Sequence, residues 1–120
     1  MEIETHQLNG IKAAEVVSTG IVIKSAEDGL DLLGNLYYQG FDTIIIYKEN
    51  VTPDFFDLKT GIAGELLQKF SNYRVRLAVI GDFSNYSSKS INDFIFESNK
   101  IGQINFVNSI SEALERLGKY

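Results

Sequence analysis

The sequence contains no cysteine and no long apolar run. Without a cysteine thiol, the 120 residues cannot form a disulfide, a thiolate nucleophile or a zinc–thiolate site. No apolar run approaches the roughly 18–20 residues needed to span a bilayer. The start Met1-Glu-Ile-Glu lacks the basic residues of a signal peptide. These absences predict a cytoplasmic protein without a membrane-spanning segment.

Clustered basic charge is also lacking. The 11 Lys and Arg residues are scattered, and the formal net charge is −5 at pH 7. Binding to a phosphate backbone needs a clustered basic face, because its affinity comes from the release of counterions. The densest basic stretch, Tyr73-Arg-Val-Arg76, leads directly into an apolar run and is typical of charges that flank a buried strand. We therefore expect no nucleic acid partner.

No complete catalytic motif occurs. The sequence has neither the Gly-x-Ser-x-Gly of a nucleophile elbow nor the Gly-x-x-x-x-Gly-Lys-Ser/Thr of a phosphate-binding loop. The single histidine, His6, lies on a predicted edge strand, where a structural role is commoner than metal ligation or base catalysis. The sequence therefore predicts no catalytic residue, no resident metal and no cofactor.

The pattern of apolar residues predicts one α/β domain over residues 1–120. Residues 2–8 and 11–18 alternate as strands and are joined by Asn9-Gly10, which suits a type I′ turn. Two β-branched runs at 43–47 and 75–80 enclose a helix, a spacing that indicates a parallel pair with a right-handed crossover.

The remaining elements complete this prediction. Ser25 should cap a helix that ends at Gly40, and Ser87 or Ser88 should begin another that runs to about 99. A short strand at 103–107 and a last helix capped by Ser109 follow. The predicted fold is a mixed β-sheet, an N-terminal antiparallel hairpin plus parallel strands, flanked by about four helices. The predicted core comprises Leu30, Leu33, Ile44, Ile46, Leu66, Phe70, Leu77, Val79, Ile91, Phe94, Ile95, Phe106 and Leu114.

The central helix has two plausible beginnings. Thr52 can cap it with Pro53 at the first helical position. Alternatively, residues 53–56 form a separate turn and Asp57 caps the helix, an interpretation that we prefer because it lets two aromatic residues pack under the loop. One face of this helix carries Gly61, Gly64 and Gln68. Each helical glycine costs about 1 kcal/mol relative to alanine, which indicates close approach by either a neighbouring helix or another protein.

The carboxyl ends of the parallel strands define a candidate crevice, because sites in open α/β sheets form there. It comprises Lys48, Glu49, Asn50, Asp54, Asp57, Lys59, Thr60, Asp82, Phe83, Ser84, Asn85 and Tyr86. Glu49, Asp54 and Asp82 offer the oxygen ligands that Mg²⁺ and Ca²⁺ take, and a Lys59–Asp82 pair suits acid–base chemistry. Loop carboxylates more commonly cap helices or face water.

An aromatic residue on the helix after Ser88 suggests an interface. Phe96 lies nearly opposite the apolar stripe of Ile91, Phe94 and Ile95 on the helical wheel. Phe83 and Tyr86, on the loop that enters this helix, are expected to add to the same side. Aromatic residues ringed by polar ones are typical of an interface core, so we expect self-association or another protein partner.

Nearly the whole chain resembles the bacterial family known as domain of unknown function 4180, and three stretches carry the resemblance most clearly. They are Asn50-Val-Thr-Pro-Asp-Phe-Phe-Asp-Leu-Lys-Thr-Gly61, Gln68-Lys-Phe-Ser-Asn-Tyr-Arg74 and Gly81-Asp-Phe-Ser84. This resemblance implies no activity.

The order of elements is also similar to the STAS fold of anti-sigma-factor antagonists. The stretch Phe106-Val-Asn-Ser-Ile-Ser-Glu-Ala-Leu114 resembles the last strand and helix of that fold. STAS regulators carry an Asp-Ser-Ser/Thr-Gly helix start whose phosphorylated serine switches partners. Here Thr60-Gly61 match its last two residues, Asp57 comes one position early, and Lys59 stands where that serine is expected.

Two functions follow as hypotheses. The leading one is a non-enzymatic regulatory or protein-interaction module. The alternative is a small enzyme, or a small-molecule or metal binder, that uses Glu49, Lys59 and Asp82. A deep pocket lined by these side chains favours the alternative, whereas a shallow crevice with an exposed small-residue face favours the module.

Overall fold

In a computed structural model, the protein is built on one five-stranded sheet. The structure describes residues 1–118. The strands lie side by side in sequence order; the first two are antiparallel and the others run parallel to the second. They are β1 (Glu2–Leu8), β2 (Ile11–Val17), β3 (Thr43–Tyr47), β4 (Arg76–Ile80) and β5 (Ile104–Val107). The predicted mixed sheet and its parallel pair of β3 and β4 are confirmed.

The N-terminal hairpin turns at the two residues that the sequence indicated. Asn9 has φ 51° and Gly10 has φ 80°. Both values lie in the left-handed region, which a two-residue type I′ turn requires and which Asn-Gly tolerates best. The turn sets the register in which Glu4 lies directly opposite Glu15.

Four helices cover the sheet. They are α1 (Ala26–Tyr38), α2 (Ile62–Tyr73), α3 (Lys89–Ile101) and α4 (Ile110–Leu117). Side chains alternate between the two faces of a strand. Thus Ile44 and Ile46 join the larger apolar cluster with α1, α2 and α3. Ile45, between them, joins a smaller cluster with Ala113 and Leu117 of α4. The helices are therefore divided three to one between the faces.

The central helix begins later than expected. Pro53–Phe56 form the separate 3₁₀ turn that we preferred, with Phe55 and Phe56 buried. Asp57, however, caps a second 3₁₀ turn, Leu58–Thr60, by accepting a hydrogen bond from the Lys59 N–H at 3.1 Å. The prediction that Asp57 caps the main helix is wrong, because Gly61 at φ 80° redirects the chain before α2 begins.

Most of the predicted core is buried, and four of its members are half-buried: Leu30, Phe94, Ile95 and Leu114.

The open edge of β5 is closed by Asn99 of α3. Its side chain accepts a hydrogen bond from Phe106 N–H at 2.7 Å and donates one to Phe106 O at 3.2 Å. This pairing imitates a neighbouring strand and removes one template for edge-to-edge association.

None of the helices within residues 1–118 has both the length and the apolar character that crossing a membrane demands.

Candidate functional site

The loops that follow β3 and β4 enclose an open groove of about 590 Å³. It lies at the carboxyl ends of the parallel strands, where the sequence placed its crevice. Buried Val51 and Ile80 and exposed Ile21 contribute to its apolar part. The lining residues are Ile21, Tyr47, Lys48, Glu49, Val51, Pro53, Ile80, Gly81, Asp82 and Asn85.

Lys48 is the lysine of this groove; the sequence placed it at the crevice but assigned the acid–base chemistry to Lys59. Its Nζ donates a hydrogen bond to the backbone carbonyl of Asp82 at 2.7 Å. The same ammonium lies 4.9 Å from the ring centre of Tyr86 and 5.4 Å from that of Phe83, within cation–π range. Its stem packs on Gly81, where an added Cβ would come within 2.6 Å of Lys48 Cβ. Lys48 therefore joins the loops after β3 and β4.

Asp82 supplies an ionised carboxylate at the groove. Its Oδ1 accepts hydrogen bonds from the Ser84 hydroxyl at 2.6 Å and the Ser84 N–H at 2.9 Å. These two bonds, with a smaller contribution from the charge of Lys48, hold the pKa of the Asp82 carboxyl below its ordinary value. Glu49, across the groove, is exposed.

Most of the other crevice residues hold loops and turns in place. Asn50 is buried, and its Nδ2 donates to the carbonyls of Ser18 and Gly20, which anchors the loop before α1. The Thr60 hydroxyl lies 2.7 Å from the Asp54 carbonyl and 2.8 Å from the Asp57 carbonyl. Asp54, Asp57 and Thr60 thus stabilise the 3₁₀ turns rather than line the groove.

Lys59 also lies outside the groove lining. It is exposed, and within residues 1–118 it forms no ion pair with Asp82. Of the candidate crevice, the structure brings together Lys48, Glu49, Asp82 and Asn85 at the groove, with Tyr86 beneath Lys48.

The candidate interface residues fall in different places. Phe83 packs edge-on against Phe106 with ring centres 5.2 Å apart, and Tyr86 stacks on Phe56 at 5.2 Å. Phe83 is therefore part of the protein's own half-buried aromatic cluster. Phe96 is 63% exposed, and among the described residues no ring packs against it.

The small-residue face of α2 is open. Gly61, Gly64 and Gln68 are exposed, and a Cβ at Gly61 or Gly64 would meet nothing within 4 Å. The close approach between helices occurs instead at Gly29 of α1, where a Cβ would lie 2.5 Å from Leu66 Cδ2. A neighbouring helix therefore does not explain Gly64.

A second group of polar residues, which sequence reasoning did not assemble, lies on the α4 side of the sheet. Glu15 Oε2 accepts a hydrogen bond from the Tyr47 hydroxyl at 2.7 Å, and Glu15 Oε1 lies 2.8 Å from His6 Nε2. The hydrogen bond to Glu15, burial and the charges of Glu15, Glu4 and Glu49 raise the pKa of Tyr47 to about 12. The signal in the sequence was a glutamate within the otherwise apolar stretch Ala13-Ala14-Glu15-Val16.

A further cavity, of about 520 Å³, lies beside α4 and the start of β4. Its polar groups hold neighbouring elements together. Arg116 Nε donates to Asn105 Oδ1 at 2.6 Å, its Nη2 donates to the Asn99 carbonyl, and Arg76 donates to the carbonyls of Gly102 and Leu117. We assign this network to the attachment of α4.

Comparison with known proteins gives a family and no activity. A family model matches residues 8–117, which includes all four helices and most of the sheet. No curated protein and no solved structure matches the chain, so its similarity to the STAS fold stays a prediction. By that match the chain belongs to the family described as Domain of unknown function (DUF4180).

Proposed function

We propose that the chain is a non-enzymatic protein-interaction module that holds a short segment of a partner protein in the groove after β3 and β4. The observation that carries this proposal is the chemistry of that groove. It is open to solvent, its apolar part includes Ile21, Val51 and Ile80, and its carboxylates belong to Glu49 and Asp82. Apolar contact flanked by charge is the usual composition of a protein interface.

The charges at the groove indicate what the segment contains. Lys48, its lysine, already donates to the Asp82 carbonyl and lies over aromatic rings. Glu49 is exposed, and the lowered pKa of Asp82 keeps its carboxylate charged. The charge presented to a partner is therefore negative. A segment with an apolar side chain next to a Lys or Arg is complementary to it.

The alternative of an enzyme loses support at Lys59. Acid–base chemistry by Lys59 and Asp82 requires both side chains to reach one substrate, and Lys59 lies outside the groove that Asp82 lines. Asp82 Oδ1 instead accepts two hydrogen bonds from Ser84, and the exposed Gly64 face is what we expect of an interaction module.

A displayed library of random short peptides tests the proposal without a known partner. Peptides selected on immobilised wild type should share an apolar residue beside Lys or Arg. They should bind Ile21→Asp and Glu49→Lys at least about tenfold more weakly, because these changes remove apolar contact and reverse the charge. Tyr38→Ser, a change of an exposed aromatic residue outside the groove lining, is the matched control and should bind as wild type does.

Selected peptides that bind both groove variants as tightly as wild type would overturn the proposal, as would a selection that enriches no sequence. A small-molecule ligand is the second candidate, because the volume of the groove falls within the roughly 300–1,000 Å³ typical of ligand pockets. A compound that raises the melting temperature of wild type but not of Ile21→Asp, together with a failed peptide selection, would favour it.

A further inference from the structure

The antiparallel hairpin gathers two carboxylates and the single histidine of the chain. Glu4 and Glu15 are direct partners across β1 and β2, and His6 lies two residues after Glu4 on the same strand face. One ligand atom from each of these three residues lies within 4.8 Å of the other two. The residues stand on paired strands, so their backbones are held in place.

Glu15 is buried to a degree that is unusual for a carboxylate. This residue is 7% exposed, and the residues before and after it in β2 are the apolar Ala14 and Val16. Removal of a charge from water is costly unless partners compensate it. Tyr47 donates to Oε2 and so fixes the carboxylate, with Oε1 turned toward His6 Nε2. Such an outer hydrogen bond is how proteins orient a metal-ligating carboxylate.

Glu4 gives an independent reason to expect a cation. Like charges directly opposite one another in an antiparallel pair are destabilising. Glu4 faces Glu15 in this way, and within residues 1–118 it has neither a hydrogen bond nor an ion pair through its side chain. A lone His6 offers at most one positive charge to two carboxylates. A divalent cation among the three residues balances both.

We propose that Glu4, His6 and Glu15 form a site for a divalent first-row transition metal ion such as Zn²⁺. An imidazole nitrogen with two carboxylate oxygens is a ligand set that suits zinc better than Mg²⁺ or Ca²⁺, which take oxygen ligands almost exclusively. Binding replaces the hydrogen bond between His6 Nε2 and Glu15 Oε1 by a bond from each atom to the metal, and the proton of that hydrogen bond passes to His6 Nδ1 or to solvent. Three protein ligands leave a fourth position for water or another donor.

The test is a titration of the untagged chain with Zn²⁺ alone. His6 is the one histidine in the sequence, so its ring NMR signals report the site without ambiguity. We expect these signals to change until one equivalent of Zn²⁺ is bound, and calorimetry to give one site per chain. His6→Asn and Glu15→Gln should abolish this binding, and Glu4→Gln should weaken it about tenfold or more.

Glu2→Gln is the matched control, because it removes the same charge from the same face of β1 but lies outside the cluster. It should bind Zn²⁺ as wild type does. Circular dichroism checks folding, and the exposed Glu4 keeps the test decisive if Glu15→Gln fails to fold. The absence of saturable binding by wild type would overturn the proposal. Equal weakening by Glu2→Gln and Glu4→Gln would also overturn it.

Discussion

Side-chain direction decides which charged residues form the site. The sequence correctly placed Glu49 and Asp82 at the ends of β3 and β4, because strand ends follow from the apolar runs. It placed Lys48 at the same edge but assigned the acid–base chemistry to Lys59, which lies outside the groove lining. Two successive 3₁₀ turns and the left-handed Gly61 separate Lys59 from the groove, and their geometry follows no simple periodicity. Loop side chains were therefore predictable in position along the chain but not in direction.

At Asp82, the two hydrogen bonds from Ser84 predict a measurable titration shift. The folded-state pKa is lowered from 3.8, so this carboxylate stabilises the fold above that pH. Its contribution is lost as the pH falls through the lower, folded-state pKa. We expect Ser84→Ala to return the pKa toward its ordinary value, as followed by carboxyl carbon NMR. Ser87→Ala, an exposed serine on the same loop, is the control; an identical Asp82 titration in Ser84→Ala and wild type would contradict the prediction.

At the scale of elements, most of the fold was predictable from local patterns. The hairpin turn at Asn9-Gly10, the caps at Ser25 and Ser109, and the β-branched runs each specify an element through its own residues. The beginning of α2 and the network of Glu15 with His6 and Tyr47 were not predictable in the same way. They depend on contacts between residues distant in sequence.

Replacing a glycine by alanine should have opposite effects on stability in α2 and in α1. Gly64→Ala should stabilise the protein by up to about 1 kcal/mol, since the new methyl meets nothing within 4 Å and alanine favours the helix. Gly29→Ala should destabilise it, because the methyl would lie 2.5 Å from Leu66 Cδ2 in the core. Overpacking of this kind costs about 1–3 kcal/mol, which exceeds the gain in helix propensity.

Urea denaturation of both variants measures these free energies of unfolding. Gly34→Ala, also in α1 and also without a neighbour within 4 Å of its Cβ, controls for helix propensity alone. If Gly29→Ala were as stable as Gly34→Ala, Leu66 would have moved aside and the close contact between the helices would not be restrictive.

At the scale of the whole molecule, the groove, the α2 face and Phe96 are separate surfaces. Phe96 and Ile101 are 63% and 70% exposed on the same helix, whereas Ile91 of that helix is buried. The exposed side of α3 therefore carries apolar surface that the protein itself does not bury. The sequence predicted an interface at Phe96 because this ring lies opposite the apolar stripe among polar residues, with Phe83 and Tyr86 expected on the same side, and that interface stays a prediction.

Light scattering over a concentration series checks whether a second copy covers Phe96. The mass of wild type should rise above 13.4 kDa with concentration. Phe96→Ser should keep the mass of a monomer, because serine removes most of the apolar area that association buries. Tyr38→Ser is the matched control, since Tyr38 is 93% exposed on α1. A wild type that stays monomeric throughout, or a Tyr38→Ser variant that loses association equally, would show that Phe96 does not mediate self-association.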